Sequence, residues 1–431
     1  MGGVITPGLA LHTGRMSAGK LAVVDNGVVL FLVLISAFVF GTDLIIKDYL
    51  PSGVGSLLES AFRWLPAFGL IILSLLFGAP LGIFNAPLIG VFFLLLLQAV
   101  LRSENEARSF IELLRETPVY LMALVLVTGR LSERAFWIAV LAGGIGLCLL
   151  SLGAALLNPS VAYTGYEWGA NVRRLEGVAP QAVSLGFVAS LCFLIAINET
   201  LLKTPEHPVS ASVFLIFAIL AFWCLVQSQS RGPTLSLFVA FLILFSLNVP
   251  RIWSKSTVLL TVVLLFIFPL IVGLTYAILR LTPLDTLLSF AMSFGDDRMM
   301  TLAQRALIWD AGKQDIVAHP LFGQSYRLDF HIDHFLADED GIYPSYHAAF
   351  LGLWRDAGVF AALCALAIVV TGYWKSVVQA LTRSDAAYAP LRAGIMAYIL
   401  VAGSLDSSLS GGVLLTCAFG AYVFSLRGER S

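Results

Sequence analysis

Long apolar runs broken by short polar stretches repeat along most of the chain, and each is long enough, or nearly so, to cross the ~30 Å hydrocarbon core of a bilayer. Twelve are read, near residues 28–46, 61–78, 83–101, 117–129, 136–157, 180–197, 209–229, 233–249, 257–279, 348–373, 386–404 and 411–426. The fourth has a short core, bounded by Thr117-Pro118 and Gly129. One long hydrophilic stretch interrupts the series, at residues 280–346. The pattern predicts an all-α polytopic membrane protein with about 12 transmembrane helices and one long outer loop containing short helices. Residues 1–279 form an N-terminal bundle of about nine helices, 280–346 the loop, and 347–431 about three further helices, together a single integrated membrane domain.

Composition agrees. The chain has 431 residues, 58% hydrophobic and 12% charged, with a mean hydropathy of +0.89, more apolar surface than a soluble globule of this size could hide. The first run starts about twenty residues in and has no small-residue cleavage site after a short core, so it reads as a retained span. Cys148, Cys192, Cys224, Cys364 and Cys417 each fall inside a predicted span, and neither a disulfide framework nor a CxxC metal site follows from them. A net charge of -1 says little about partners.

With twelve spans both termini share one side, which Arg15, Lys20, Arg427 and Arg430 assign to the cytoplasm by the positive-inside rule. Arg130, Arg134, Lys203, Arg251, Lys255, Lys375 and Arg383 fall on the same side. The outer face carries about as many Lys and Arg residues, a placement against the rule that suggests some of these arginines bind something. The outer loop holds ten acidic residues, five Lys or Arg and three of the six histidines. Loops beyond about 15 residues are uncommon without a purpose. Within it, TLAQRALIWDAGKQDIVAHPLFG has helical spacing, with Arg305 and Trp309 one turn apart, and reads as a short amphipathic helix ended by His319-Pro320 and Gly323.

The stretch Gln227-Ser-Gln-Ser-Arg-Gly-Pro-Thr234 lies between two apolar runs. Proline favours the first helical position, so Gly232-Pro233 reads as the start of the eighth span, with Arg231 just outside it. Free backbone N–H groups, the positive end of the helix dipole and a guanidinium then meet at the outer interface, a combination suited to phosphate. An interfacial arginine that only anchors the helix is the other reading of this placement. Tyr343-Pro344-Ser345-Tyr346-His347 similarly opens the tenth span, where the dipole favours a neutral His347 able to accept a proton and a nearby pyrophosphate would oppose it. A lone histidine bonded to a backbone carbonyl is the alternative there.

Other constellations are less selective. HIDHFLADED at 331–340 matches no strong metal-ligand template and reads as a solvated loop tip. Asp296, Asp297, Asp310 and Asp315 could supply a carboxylate pair for glycoside hydrolysis, but their spacing selects no two of them. No Walker loop or dinucleotide fingerprint is present, which argues against ATP-driven transport or redox work. Asp406 reads as part of an outer turn, and Asp356 beside Arg355 as pairing with a neighbouring helix's charge.

Three pieces in order, SQSRGPTLSL at 228–237, QRALIWDAGKQDIVAHPLFGQS at 304–325 and YHAAFLGLWRDAG at 346–358, resemble the O-antigen ligase and polymerase superfamily of bacterial inner-membrane glycosyltransferases. RRLEGVAPQAVSLG at 173–186 is similar to a further family stretch. Ala348 and Gln181 stand where the family commonly has asparagine. The resemblance implies transfer of a glycan from an undecaprenyl-diphosphate carrier to an acceptor sugar hydroxyl, either lipid A-core or a growing glycan, on the periplasmic face. It implies no cofactor, no metal and no nucleic acid, with membrane lipid as surroundings. Carried over, Arg231 and Arg305 hold the diphosphate and His347 orients or deprotonates the acceptor, with inversion at the anomeric carbon. Arg173 and Arg174 are further donor-contact candidates, or surface charges, and Trp309, His319 and Tyr343 are candidate substrate contacts. A polymerase using the same chemistry is the near alternative. A flippase is the distant one, because the singled-out charges gather at one face rather than at mid-membrane.

Overall fold

The computed structural model describes residues 18–51, 53–78, 85–103, 105–164, 174–202, 208–253, 313–324, 326, 330–331, 342–343, 349–383, 386–405 and 412–427. The span expected over 257–279 and the acidic loop tip lie outside them, apart from the backbone of His331. The described residues are mostly helical. They form α1 (Ala18–Thr42), α2 (Val54–Leu76), α3 (Pro87–Leu101), α4 (Glu106–Val127), α5 (Glu133–Leu157) and α6 (Pro159–Ala162). A two-stranded pair of β1 (Tyr163–Thr164) and β2 (Arg174–Leu175) follows, then α7 (Ala182–Leu201), α8 (Pro208–Ser228) and α9 (Arg231–Trp253). A helical turn spans 313–318, β3 (Phe330–His331) pairs with β4 (Ile342–Tyr343), and the chain ends in α10 (Ala349–Ala357), α11 (Val359–Thr382), α12 (Ala389–Leu405) and α13 (Gly412–Arg427).

Local chemistry sets several of these starts. Asn105 caps α4 by accepting from Arg108 N at 3.2 Å, and Ser132 caps α5 by accepting from Ala135 N at 3.2 Å. Glu133 in the first turn of α5 suits the helix dipole, and Pro87 opens α3, where its missing N–H costs nothing. Nearly all of α7 is buried against α8, α9 and α5, which makes it the centre of the bundle. α2 lies at the rim, with Leu57, Leu65, Ile72 and Leu76 exposed as a lipid-facing helix requires.

Among the described residues six helical stretches are long and apolar enough to cross a membrane: Val54–Leu76, Glu133–Leu157, Ala182–Leu201, Ala211–Ser228, Arg231–Asn248 and Val359–Thr382. Four shorter apolar helices, Gly27–Thr42, Pro87–Leu101, Ala389–Ser404 and Gly412–Arg427, fall where spans were expected. Two elements differ from the sequence reading. The fourth segment is only the second half of α4, whose first half carries Glu106, Arg108, Glu112, Arg115 and Glu116. The tenth segment is two helices, because Gly358 adopts φ 87° and ends α10 before α11 begins.

The helix ends gather into two polar layers. In one, Ile45 N donates to Val178 O, the Tyr49 hydroxyl to Gly177 O, and Gly412 packs directly on Thr42. In the opposite layer Arg392 of α12, almost wholly buried, pairs with Glu133 of α5 and donates to Gln379 of α11. There too Arg134 meets Glu199 of α7, which accepts from the Tyr388 hydroxyl. Buried charges survive only when paired in this way.

Candidate functional site

The site is built around the turn between α8 and α9. Ser228 ends α8, and Gln229 takes φ 49°, the left-handed region otherwise occupied by glycines among the described residues. Ser230 then stands at the N-cap: its carbonyl accepts from Thr234 N at 3.2 Å and from Thr234 Oγ1 at 2.7 Å. The helix therefore starts at Arg231, two residues earlier than the proline suggested, and Arg231 is its first residue rather than a flanking one. Pro233 is third, where a missing N–H is still harmless.

Ser228 and Ser230 are buried, and their packing holds the turn down. Ser230 Oγ donates to the carbonyl of Ala182 at 3.0 Å, at the start of α7. Gly186, one turn further along α7, lets the backbones approach: a Cβ there would lie 2.8 Å from Ser230 Cβ and 3.1 Å from both Pro233 Cγ and Ser228 Oγ. Arg174 comes in from β2. Its Nε donates to Ser228 O at 3.2 Å and its Nη2 to Ser230 Oγ at 3.3 Å. This leaves the half-buried Arg174 guanidinium close enough to Arg231 for their positive charges to repel. Arg231 itself is exposed. Two like charges beside a helix N-terminus raise the local positive potential, and an anion bound between them relieves it.

A second cluster joins the end of the long loop to the start of the last helices. The turn over 313–318 stops at His319-Pro320, as expected, with Gly323 at φ 71°. Residues 320–324 and 354–359 then bind each other: Gln324 N donates to Arg355 O at 2.8 Å, Val359 N to Pro320 O at 3.1 Å, and Trp354 Nε1 to the same Pro320 carbonyl at 2.9 Å. Both glycines are required. A Cβ on Gly323 would sit 2.4 Å from Asp356 O, and one on Gly358 2.1 Å from Leu321 O. Arg355, 4% exposed, lies with Nε 3.5 Å from Asp315 Oδ2 and donates from Nη1 to Asp356 Oδ1 at 3.1 Å. Just beyond, buried Tyr326 donates its hydroxyl to Glu116 of α4 at 2.7 Å, and Ser109 donates to its carbonyl at 2.8 Å.

The candidates from the sequence divide accordingly. Arg231 and Arg174 come together at the α8–α9 turn. His319 is exposed in the second cluster, its N–H bonded to Asp315 O at 3.1 Å. Tyr343 lies in β4, its backbone opposite Phe330. Arg173, Arg305, Trp309 and His347 lie outside the described residues, as do Ala348 and Asp406; α10 begins two residues after His347. The sequence reading missed Ser228, Ser230 and Gly186 as supports. It also missed the Asp315–Arg355 and Glu116–Tyr326 pairs. The first two serines were visible beside Arg231; the pairs join remote segments and left no local signal.

A loop start near the membrane is where burial can move a carboxylate. Asp43, just past the end of α1, is held up at about 7 because burial disfavours its charged form, with the Arg63 charge opposing. One of its oxygens, Oδ2, has no hydrogen-bond partner among the described residues.

A family model described as O-Antigen ligase matches residues 216–366, about a third of the chain. This supports the resemblance to the O-antigen ligase and polymerase superfamily, and the matched range contains all three of the ordered motifs, while 173–186 precedes it. With the apolar helices, the match points to an integral membrane protein of ligase or polymerase type that handles glycans. No curated protein matches the chain significantly.

Proposed function

We propose that the chain transfers a glycan from an undecaprenyl-diphosphate carrier to a sugar hydroxyl of lipid A-core, on the periplasmic face of the bacterial inner membrane, with both termini in the cytoplasm. The observation that supports this reading is the convergence of Arg174 and Arg231 on the N-terminus of α9. A diphosphate leaves easily once its charge is stabilised, and two guanidinium forks at a helix start supply donors for several of its oxygens. The acceptor oxygen attacks the anomeric carbon opposite the diphosphate, the carbon–oxygen bond to the carrier breaks, and His347 takes the hydroxyl proton. Configuration inverts in the process.

Arg174, a secondary candidate by sequence, becomes the partner of Arg231 in this reading, with Arg305 completing the grip from the loop. Arg173 is proposed as a further donor contact, and Trp309, His319 and Tyr343 as residues against which sugar rings stack or hydrogen-bond. The division into a bundle at 1–279, a periplasmic loop at 280–346 and closing helices at 347–431 belongs to the same proposal. Neither metal nor cofactor is invoked.

The test is transfer in lipid nanodiscs from purified undecaprenyl-diphosphate glycan to a lipid A-core acceptor. A single addition to the core is expected, lost in Arg305→Ala and His347→Ala. A ladder growing on the carrier would instead identify a polymerase, and no product on either acceptor would sink the reading.

A further inference from the structure

The clasp between residues 320–324 and 354–359 has no part in the transfer chemistry as derived so far. Its backbone bonds tie the segment after the helical turn to the break between α10 and α11, but they do not reach the turn itself. Arg355 does. Its side chain spans from α10 to Asp315, inside residues 313–318, while also holding Asp356. A guanidinium this deeply buried is costly to leave unpaired, so the pair constrains both elements at once.

The two elements are those that lead, in sequence, to the groups assigned to the reaction. Asp315 follows Arg305 by ten residues, and Arg355 follows His347 by eight. A tie at these points anchors each arm within ten residues of those groups, and the reach from the anchor is set by ~3.5 Å per residue at most. We propose that Arg355 is a positioning residue: through Asp315 it holds the arm that carries Arg305 against the helix that follows His347. This rests on the transfer reading above, and deepens it by naming what registers the two arms.

The experiment uses the full chain in nanodiscs and two readouts, amide hydrogen exchange over 313–324 and 354–359, and initial transfer rates at varied donor concentration. Arg355→Gln and Asp315→Asn are each expected to speed exchange at Gly323, Gln324 and Val359. Each is also expected to lower kcat about 10²-fold, the cost of a ~1 Å misplacement, with KM for the donor moving less than about threefold. Asp315 is partly exposed and its variant leaves Arg355 paired with Asp356, so it is expected to fold even if the Arg355 change does not. Arg355→Lys should restore protection and part of the rate, and the double variant should be no worse than either single one. Faster exchange with an unchanged rate, unchanged exchange in both variants, or rate losses that simply add would overturn the positioning role. An inactive wild type would overturn the transfer reading, and the positioning role with it; the exchange comparison separates that outcome from a failure of the clasp alone.

Discussion

Arg174 bonds through Nε to the carbonyl of Ser228 at 3.2 Å, fixing β2 to the last residue of α8 across 54 positions of sequence. The guanidinium thus both shapes the turn before α9 and lends it charge. Replacing it by alanine is expected to cost about 1–3 kcal/mol of stability, because Ser228 O and Ser230 Oγ lose a charged donor in a buried setting. Arg174→Lys should recover only a fraction, since a single ammonium cannot serve both acceptors with the geometry of a planar fork. Thermal unfolding of the detergent-solubilised protein measures both.

Arg231 supplies the contrast. It is exposed, so Arg231→Ala should shift stability by no more than about 0.5 kcal/mol while lowering transfer about 10²- to 10³-fold, the range for removing one electrostatic stabiliser of a developing anion. Rate and melting temperature measured on the same preparation distinguish a ligand-binding arginine from a helix anchor.

Gly186 offers a test of the scaffold. Valine at this position places atoms where Ser230, Pro233 and Ser228 already stand. Gly186→Val should therefore destabilise the protein by about 1–3 kcal/mol and displace Arg231 with the turn, so that activity falls more than in Gly153→Val, where a side chain meets open space.

Asp43 predicts a pH dependence. Its folded value, about 7, lies above the 3.8 of an ordinary aspartate, so folding favours the protonated acid. That contribution is complete below about pH 4 and is lost as pH rises through 7, for a total of up to ~4 kcal/mol. Asp43→Asn should flatten the profile between pH 4 and 7 and raise stability above 7. A melting series that keeps its slope in the variant would remove Asp43 as the cause.

Much of the helical layout was readable because lipid-facing and core helices both demand continuous apolar runs, and most of the described helices lie where such runs occur. Reading failed where a boundary depends on one torsion or one distant partner. Nothing in FLGLWRDAGVFAAL announces a break at Gly358; the need for φ 87° arises only when Leu321 packs against that backbone. Likewise the charged half of α4 looked like a connection, because the residues that bury Glu116 arrive 210 positions later with Tyr326. Arg231 was found from its placement beside Gly-Pro, whereas Arg174 gained weight only once its bonds to the turn were seen.

The Tyr326–Glu116 bond also sets a depth. Glu116 lies ten residues into α4, about 15 Å below its start at 1.5 Å per residue, and the uncharged remainder from Thr117 to Val127 covers only about 16 Å. Most of that stretch is buried against neighbouring helices, so this half of α4 is matched to the protein interior and has no need to reach across a full hydrocarbon layer of ~30 Å.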